Sequence, residues 1–341
     1  MDVLTVKDLT AGYLTEQGFV EIVTDTSFSL KKGELLGIAG ESGSGKTTLV
    51  SAIMNALSYP GMIKSGTVEF EQHDLLKMKD EEIRKLRGVH ISFVPQGSMD
   101  SLNPVKRIID QFWDIVDSHE VDVKRKDVEE IINMVHLDNE VLFRYPHEIS
   151  GGMKQRVILA MSLMYKPDIV VMDEPTTGLD VLVQYDILKT VKELQKEFSL
   201  SLIFITHDIS LLFEIADRVM VLYGGEIMEI GPYQNLLDDA KHPYTMLLRN
   251  EDKGSLIDEL SQVAKVLEFN IEPKNDIYRP SESLSIRQLN IMKYALDNGY
   301  FDTPRNIDLA RLSTIFGMTK TSTSYNLKKA VKETLKGVNQ L

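Results

Sequence analysis

The sequence has 341 residues, no cysteine and a formal net charge of −13 at pH 7. Its length allows one large domain with a small one, or two to three modest domains. The absence of cysteine excludes disulfides, iron–sulfur clusters and thiol catalysis. The acidic balance argues against a chain whose whole surface binds nucleic acid. We expect no signal peptide, and no apolar run reaches the length that spans a bilayer.

The first elements are predicted to be two antiparallel strands. Residues 3–9 and 19–30 alternate apolar and polar side chains, which is the pattern of half-buried strands. Tyr13 is predicted to lie in the loop between them. A loop aromatic is either a stray surface residue or a platform on which a base stacks.

The phosphate loop, residues 40–47, is the segment that organises the chain, and its sequence is Gly-Glu-Ser-Gly-Ser-Gly-Lys-Thr. It fits the P-loop pattern, with a predicted buried strand over 35–39 before it and a predicted helix over 48–54 after it. Backbone N–H groups of such a loop wrap a phosphate chain, while the Lys reaches the β- and γ-phosphates and the Thr hydroxyl binds Mg²⁺. The predicted nucleotide-binding residues here are Gly40, Glu41, Ser42, Gly43, Ser44, Gly45, Lys46, Thr47 and Thr48.

A strand over 66–71, a helix over 80–87 and a strand over 90–94 are predicted next, and the last of these ends at Pro95-Gln96. Apolar residues then recur at helical spacing, so residues 97–165 are predicted to form a helical insertion.

Ser150 is predicted to be the N-cap of a further helix, followed by Gly151 and Gly152. The two glycines leave the first N–H groups bare for an anion. An ordinary cap explains the same pattern.

Two carboxylates follow a strand predicted over 169–173. Asp173 and Glu174 end this apolar run, where ligands bind in open α/β sheets. Behind a phosphate loop, Asp173 is the predicted Mg²⁺ partner and Glu174 the predicted general base. The next buried strand, 202–206, ends at His207, which is either structural or in contact with a γ-phosphate. A hairpin is predicted around Gly224-Gly225.

A domain boundary is predicted near residue 250. We predict a nucleotide-binding domain over 1–250, a linker over 251–283 and a small all-α module over 284–341. Three helices with a tight turn at Gly317 between the second and third predict a helix-turn-helix. Basic residues outnumber acidic residues in this module, although the chain as a whole is acidic.

With these motifs in order, residues 1–250 resemble an ATP-binding-cassette ATPase. The resemblance implies an α/β P-loop NTPase with an antiparallel β subdomain and a helical subdomain. It rests on Tyr13 as the A-loop aromatic, residues 40–47 as Walker A, Gln96 as the Q-loop, Ser150-Gly151-Gly152 as the signature, Asp173-Glu174 as the end of Walker B, Asp180 in the D-loop and His207 as the switch histidine.

The resemblance also implies a mechanism in which two such domains close over two ATP molecules. Tyr13 would stack on adenine, and the ATP-bound Mg²⁺ would meet Thr47, Gln96 and Asp173. Glu174 would polarise the attacking water and His207 would steady the γ-phosphate. The signature segment, residues 150–152, would act in trans on the partner's nucleotide.

A finer resemblance is to the oligopeptide/dipeptide importer group. It rests on Ser101-Leu102-Asn103-Pro104, on residues 145–153, on residues 174–181 and on His242-Pro243-Tyr244-Thr245. It implies two transmembrane permease subunits, a second ATPase subunit and, indirectly, an extracytoplasmic solute-binding protein. By the same resemblance the ATPase pair would be a heterodimer or, alternatively, a homodimer, at the cytoplasmic face of the membrane. The solute class stays open between peptides and oligosaccharides.

Two features depart from this group. Many members carry a C-terminal cysteine cluster that holds an iron–sulfur centre, whereas this chain has no cysteine and so no iron–sulfur cluster. Residues 284–335 instead resemble the bacterio-opsin-activator type of helix-turn-helix, notably over residues 299–305, which suggests an archaeal source. The alternative function is therefore a soluble ATP-dependent regulator that binds DNA through this module. A module that packs on protein rather than DNA is the favoured interpretation.

Overall fold

The computed structural model describes residues 1–119, 121–249 and 309–316, together with Lys320, Thr323 and Leu327. The chain divides into two compact units, Met1–Ala240 and Lys241–Leu341. The predicted linker and the first helix of the C-terminal module lie outside the described residues, and of the predicted third helix the structure describes Lys320, Thr323 and Leu327, each in helical conformation. The predicted second helix of that module is confirmed at Leu309–Ile315, whereas the predicted boundary near residue 250 stays a prediction.

The described strands are β1 (Asp2–Thr15), β2 (Gly18–Lys31), β3 (Leu35–Ala39), β4 (Gly61–Phe70), β5 (His73–Asp74), β6 (Ile91–Val94), β7 (Ile169–Asp173), β8 (Ser201–Thr206), β9 (Arg218–Tyr223) and β10 (Glu226–Pro232). Four of them form an antiparallel sheet in the order β2-β1-β4-β5. The other six form a second sheet in the order β10-β9-β3-β8-β7-β6, which is parallel except for the β9–β10 hairpin. The predicted antiparallel subdomain and parallel core are confirmed.

The described α-helices are α1 (Lys46–Ile53), α2 (Asp80–Leu86), α3 (Ile108–Asp117), α4 (Arg125–Met134), α5 (Gly151–Leu163), α6 (Val181–Phe198), α7 (Ile209–Ile215), α8 (Tyr233–Asp238), α9 (Pro243–Arg249) and α10 (Leu309–Ile315). Short 3₁₀ turns occur at Leu75–Lys77, Ser98–Ser101, Asn139–Phe143 and Pro146–Glu148. Between 97 and 165 the structure contains helices and 3₁₀ turns, as the apolar spacing predicts. Within the described residues, none of these helices combines the length and apolar character that crossing a bilayer requires.

The parallel sheet brings three chemically important chain positions to one edge. Strands β3, β7 and β8 are buried along their whole length, because helices cover a parallel sheet on both faces. Their carboxyl ends lie side by side in the sheet. The phosphate loop follows the first of these strands, Glu174 the second and His207 the third. The topology therefore gathers residues that are far apart in the sequence.

A hydrophobic core joins the two sheets through α1. One cluster of buried residues contains side chains from β1, β2 and β4 of the antiparallel sheet and from β3, β7, β8 and β9 of the other. Leu49, Val50 and Ile53 of α1 belong to the same cluster and are at most 2% exposed. Burying such a side chain contributes about 1.5–3 kcal/mol. The helix behind the phosphate loop is thus fixed in place by the core.

The prediction that Tyr13 lies in a loop is wrong. Strand β1 runs to Thr15, and Tyr13 pairs with Val20 on β2 and with Gly61 on β4. The misleading feature is Gly12, which suggests a turn in the sequence. In the structure it lies at a register shift where the strands approach closely, since a Cβ atom there would be 2.0 Å from Val20 O.

The turn of the β9–β10 hairpin anchors the phosphate loop. The Gly225 N–H donates to Ser44 O at 3.0 Å, and Gly225 O accepts from Thr24 N–H at 2.9 Å. Gly225 has φ of +87°, and a Cβ atom there would lie 2.1 Å from Ile22 O. The hairpin therefore connects the loop to β2 through a contact that only glycine allows.

Gly225→Ala is expected to destabilise the chain by about 2–4 kcal/mol, because the new methyl group must displace backbone in a packed region. The matched control is Gly18→Ala. Gly18 has φ of +111°, but a Cβ atom added there would have nothing within 4 Å, so only the backbone strain of about 1–2 kcal/mol remains. Urea unfolding of both variants measures the difference. Equal losses would show that the contact with Ile22 is unimportant.

Candidate nucleotide-binding and catalytic site

The phosphate loop turns directly into α1. Gly45 is the N-cap of that helix, with φ of +103°, and a Cβ atom there would lie 2.9 Å from Ile22 O. No side chain caps the helix, so its first N–H groups face the loop. Glu41, Ser42, Gly43 and Thr47 are exposed. The loop thus presents backbone donors on an open side, which suits a phosphate group.

Lys46 is folded back onto the loop. The residue is 5% exposed, and its Nζ donates to Gly40 O at 2.7 Å and to Glu41 O at 2.9 Å. Burial lowers the pKa of Lys46, and the nearby carboxylates of Glu174, Asp173 and Glu41 only partly oppose that effect. The ammonium is held inside the loop by two neutral carbonyls, and an anionic phosphate would be a stronger partner.

Asp173 and Thr47 are brought together as predicted. The Thr47 hydroxyl donates to Asp173 Oδ2 at 2.7 Å. Asp173 is 1% exposed, and its Oδ1 has no hydrogen-bond partner. Burial raises the pKa of Asp173, outweighing the hydrogen bond from Thr47, which lowers it. This unpartnered buried oxygen marks a place where a cation would be stabilising.

The donor set at this position fits Mg²⁺. In the described parts of the chain, no group of three or more His, Cys, Asp or Glu side chains is arranged to hold a metal. Mg²⁺ commonly takes only one or two carboxylates, with substrate phosphates and water completing its shell. One buried carboxylate beside a hydroxyl, next to a phosphate loop, matches that requirement. Gln96 is exposed nearby and reaches the neighbouring Glu174.

Glu174 contacts two further predicted residues, Gln96 and His207, and also Thr177. Its Oε2 accepts from Gln96 Nε2 at 3.2 Å and from Thr177 Oγ1 at 2.9 Å. Its Oε1 lies 3.4 Å from His207 Nδ1. The Glu174 side chain is 11% exposed and that of His207 is 57% exposed. The carboxylate is therefore sheltered, while the histidine stands at the open side of the sheet edge.

Tyr13 lies close to α1 although its element was mispredicted. Its hydroxyl is 3.5 Å from Thr48 Oγ1, and the residue is half-buried. The strand β1 thus carries an aromatic ring to the side of the helix that follows the phosphate loop.

The signature segment forms a second group together with Asp180. Ser150 caps α5 as predicted, and its Oγ accepts from Met153 N–H at 3.3 Å. Asp180 caps α6 by accepting from Val183 N–H at 3.1 Å. A Cβ atom on Gly152 would lie 2.7 Å from Val183 Cγ1, so the beginnings of the two helices pack directly on one another.

Comparison with known proteins decides the family. The sequence model of the family "ABC transporter" matches residues 23–177. The dipeptide transport ATP-binding protein DppD of Caldanaerobacter subterraneus is 38% identical over 284 residues, which are 82% of this chain and 86% of the relative. The chain belongs to the ABC transporter ATPases. It is thus an ATP-binding protein that hydrolyses ATP.

Further relatives of this ABC ATPase support the assignment. The oligopeptide transport ATP-binding protein OppD of Bacillus subtilis is 40% identical over 248 residues, covering 71% of this chain and 69% of the relative. Among solved structures, the ATP-binding cassette MJ0796, a dimer bound to ADP and phosphate after hydrolysis, aligns with a TM-score of 0.60. It is 26% identical and covers 67% of this chain and 98% of that one. The predicted ABC fold is confirmed.

The C-terminal part of this ABC ATPase matches a second family model. Residues 284–336 match the sequence model described as "HTH DNA binding domain". The predicted helix-turn-helix resemblance is confirmed, and α10 is the helix of that range that the structure describes.

Two residues at the ABC site were missed from the sequence. Thr177 contacts Glu174 across a tight turn, and the available signal was a hydroxyl residue three positions after a carboxylate. Gly225 contacts the phosphate loop directly, although it lies about 180 residues later in the sequence. Its position in a Gly-Gly turn indicates a hairpin but gives no sign of what the hairpin contacts.

Asp173→Asn is expected to stabilise the nucleotide-free ABC ATPase at neutral pH by about 1 kcal/mol, since it removes a buried charge with one unpartnered oxygen. Because the pKa of Asp173 is raised in the folded state, the folded state binds its proton more tightly than the unfolded state. The contribution of Asp173 to the free energy of unfolding therefore falls as the pH rises above the ordinary aspartate pKa of 3.8, and it does not change below that pH.

Urea unfolding across pH measures the Asp173→Asn effect, with the exposed Asp122→Asn as the matched control. The gain in stability of Asp173→Asn over the wild type should appear at pH values above the ordinary aspartate pKa and vanish below it. With Mg²⁺ and ATP present, the wild type should become the more stable of the two proteins, because bound ligand stabilises it and the variant lacks that stabilisation. A variant less stable than the wild type at pH 7 without nucleotide would contradict this prediction.

Proposed function

We propose that this chain is the ATP-hydrolysing motor subunit of a membrane importer for peptides or oligosaccharides. The observation that carries the proposal is the convergence of Lys46, Asp173, Glu174 and His207 at one sheet edge. The names of the relatives supply the transport context, since DppD and OppD are dipeptide and oligopeptide transport ATP-binding proteins.

The proposed chemistry assigns one task to each group at this edge. The N–H groups of the phosphate loop and Lys46 hold the phosphates. Glu174 accepts a proton from the water molecule that attacks the γ-phosphorus, while the bond from that phosphorus to the β–γ bridging oxygen breaks and ADP leaves. His207 hydrogen-bonds the γ-phosphate oxygens. Mg²⁺ held by Thr47, Asp173 and Gln96 would offset the negative charge that develops on the phosphates. Tyr13 provides a face for the adenine ring.

A second ATPase subunit completes the proposed site. Part of the phosphate loop is exposed, so one side of a bound nucleotide would be left uncovered by this chain. Ser150, Gly151 and Gly152 present the start of α5 to a nucleotide held by the partner, and Asp180 lies beside them. MJ0796 is itself a dimer in its ADP-bound and phosphate-bound state, which supports this arrangement. The partner is a different ATPase subunit or, alternatively, a second copy.

The remaining partners follow from the transport role. Two transmembrane permease subunits would receive the ATPase pair at the cytoplasmic face of the membrane. An extracytoplasmic solute-binding protein would deliver the solute. The chain would then be a peripheral membrane protein held by its contacts with the permeases.

A co-purification tests the proposal. The tagged Glu174→Gln full-length chain is extracted gently from membranes with ATP present, and mass spectrometry identifies the bound proteins. We expect two polytopic permeases and an ATPase partner, retained better than by the wild type, which hydrolyses its ATP. Recovery in the soluble fraction without a permease would refute the importer function, as would unchanged solute uptake in cells that carry only the variant.

The match of residues 284–336 to a DNA-binding family favours a second candidate, an ATP-dependent regulator that binds DNA. Gel-shift titration of the full-length chain with genomic fragments, at about 50 and 200 mM salt, tests it. DNA binding through phosphate contacts should weaken by about 10³-fold or more over that range. Absence of binding at the lower salt concentration would remove this candidate and leave a module that packs on protein.

A further inference from the structure

The carboxylate of Glu174 is held by a donor to which no role has been assigned. Thr177 Oγ1 donates to Glu174 Oε2 at 2.9 Å, the shorter of the two hydrogen bonds described for this carboxylate. The other donor, Gln96 Nε2, lies at 3.2 Å. Both donors reach the same oxygen, so Oε1 is left facing His207, at 3.4 Å from Nδ1.

The backbone around Glu174 forms a tight turn that holds Thr177 next to the Glu174 side chain. Glu174 adopts φ of +47°, which is unusual for a residue with a side chain, and its N–H donates to Ile205 O at 2.9 Å. The Thr177 N–H donates to Glu174 O at 3.2 Å. Thr177 is therefore attached to Glu174 by both its backbone and its side chain, in one closed turn.

We propose that Thr177 is a positioning residue for the general base, whose hydroxyl holds Glu174 Oε2 so that Oε1 is presented to the attacking water beside His207. This inference rests on the proposed role of Glu174. A glutamate side chain has three rotatable bonds, and fixing them before the reaction removes an entropy cost from the chemical step. The hydroxyl of Thr177 can do so without touching substrate.

Thr177, unlike Gln96, has no second proposed partner, so its hydroxyl can stay hydrogen-bonded to Glu174 throughout the reaction. Gln96 is proposed to bind Mg²⁺, and its amide has to serve that ion as well as the carboxylate. Thr177 is exposed, and the contact described for its hydroxyl is with Glu174. Removing the hydroxyl therefore affects the orientation of the base and leaves the phosphate loop and the Mg²⁺ ligands unchanged.

The test compares Thr177→Val with Thr177→Ser. Valine has nearly the same shape without the hydroxyl, and serine keeps the hydroxyl without the methyl group. ATP hydrolysis is measured over a range of ATP concentrations, using the tagged full-length chain purified with its bound subunits. We expect kcat of Thr177→Val to fall about tenfold, with KM changed less than twofold, and Thr177→Ser to stay near the wild type. Thermal unfolding checks that each variant is folded, and Thr177→Ala replaces the valine variant if that one is not.

A double variant separates positioning from a general structural effect. Thr177→Val in the Glu174→Gln background should hydrolyse ATP at the rate of Glu174→Gln alone, because the base that Thr177 orients is gone. A further tenfold loss there would overturn the inference, as would a serine variant as slow as the valine variant or a valine variant within twofold of the wild type. Wild-type hydrolysis by Glu174→Gln itself would instead refute the assigned base and, with it, the proposed mechanism.

Discussion

Lys46→Met is expected to reduce ATP binding and hydrolysis by at least about 100-fold. The Lys46 ammonium is already desolvated and held by two backbone carbonyls at 2.7 and 2.9 Å. Exchanging these neutral partners for phosphate oxygens creates charge-assisted hydrogen bonds, and the substitution removes all of them. Methionine is unbranched and replaces the side chain up to the position of Cε, so most of the packing of the loop is retained.

Fluorescent-nucleotide titration and phosphate release measure the Lys46→Met effect. The matched control is Lys189→Met, which removes an exposed lysine from α6 and should leave both quantities unchanged. Burial disfavours the charged form of Lys46, but the substitution also leaves two backbone carbonyls without their donor, so the variant should unfold near the wild-type midpoint. Retained nucleotide affinity in Lys46→Met would contradict the placement of the phosphates in this loop.

Glu174→Gln is expected to lower kcat by about 10²–10⁴-fold while ATP affinity stays within a fewfold of the wild type. The two side chains have the same shape, and glutamine still offers an oxygen to Thr177. It has no charge with which to take a proton from water. The substitution therefore removes the base and leaves the binding contacts of the phosphate loop in place.

Single-turnover hydrolysis and equilibrium ATP binding, measured on the same preparation, separate these two effects. Glu214→Gln, an exposed position on α7, is the matched control and should behave as the wild type. A parallel loss of ATP binding and hydrolysis in Glu174→Gln would show that Glu174 binds the nucleotide rather than activating water.

Much of the site was predictable because parallel strands end at a common edge. Asp173, Glu174 and His207 lie at or directly after the end of an apolar run, and parallel strands place their carboxyl ends at one edge of the sheet. The local pattern of residues 40–47 similarly predicts its own loop and helix. These predictions needed only the type of each residue and its position relative to one strand.

The features that the sequence did not reveal depend on geometry between distant segments. Tyr13 was misplaced because a glycine at a strand irregularity has the same local pattern as a glycine in a turn. Thr177 was overlooked because residue type does not show which way a hydroxyl points. The role of Gly225 requires knowing that the β9–β10 turn meets Ser44 and Ile22, far away in the chain.

The order of strands in the parallel sheet has a consequence for synthesis on the ribosome. Strand β3, which carries the phosphate loop, pairs with β8 and β9 on its two sides. Both neighbours come after residue 200, although the loop itself is complete at residue 47. A nascent chain therefore contains the whole nucleotide-binding motif long before it has a sheet in which to place it. Competence to hold ATP should appear late in translation, once Tyr223 has left the exit tunnel, and should then appear abruptly.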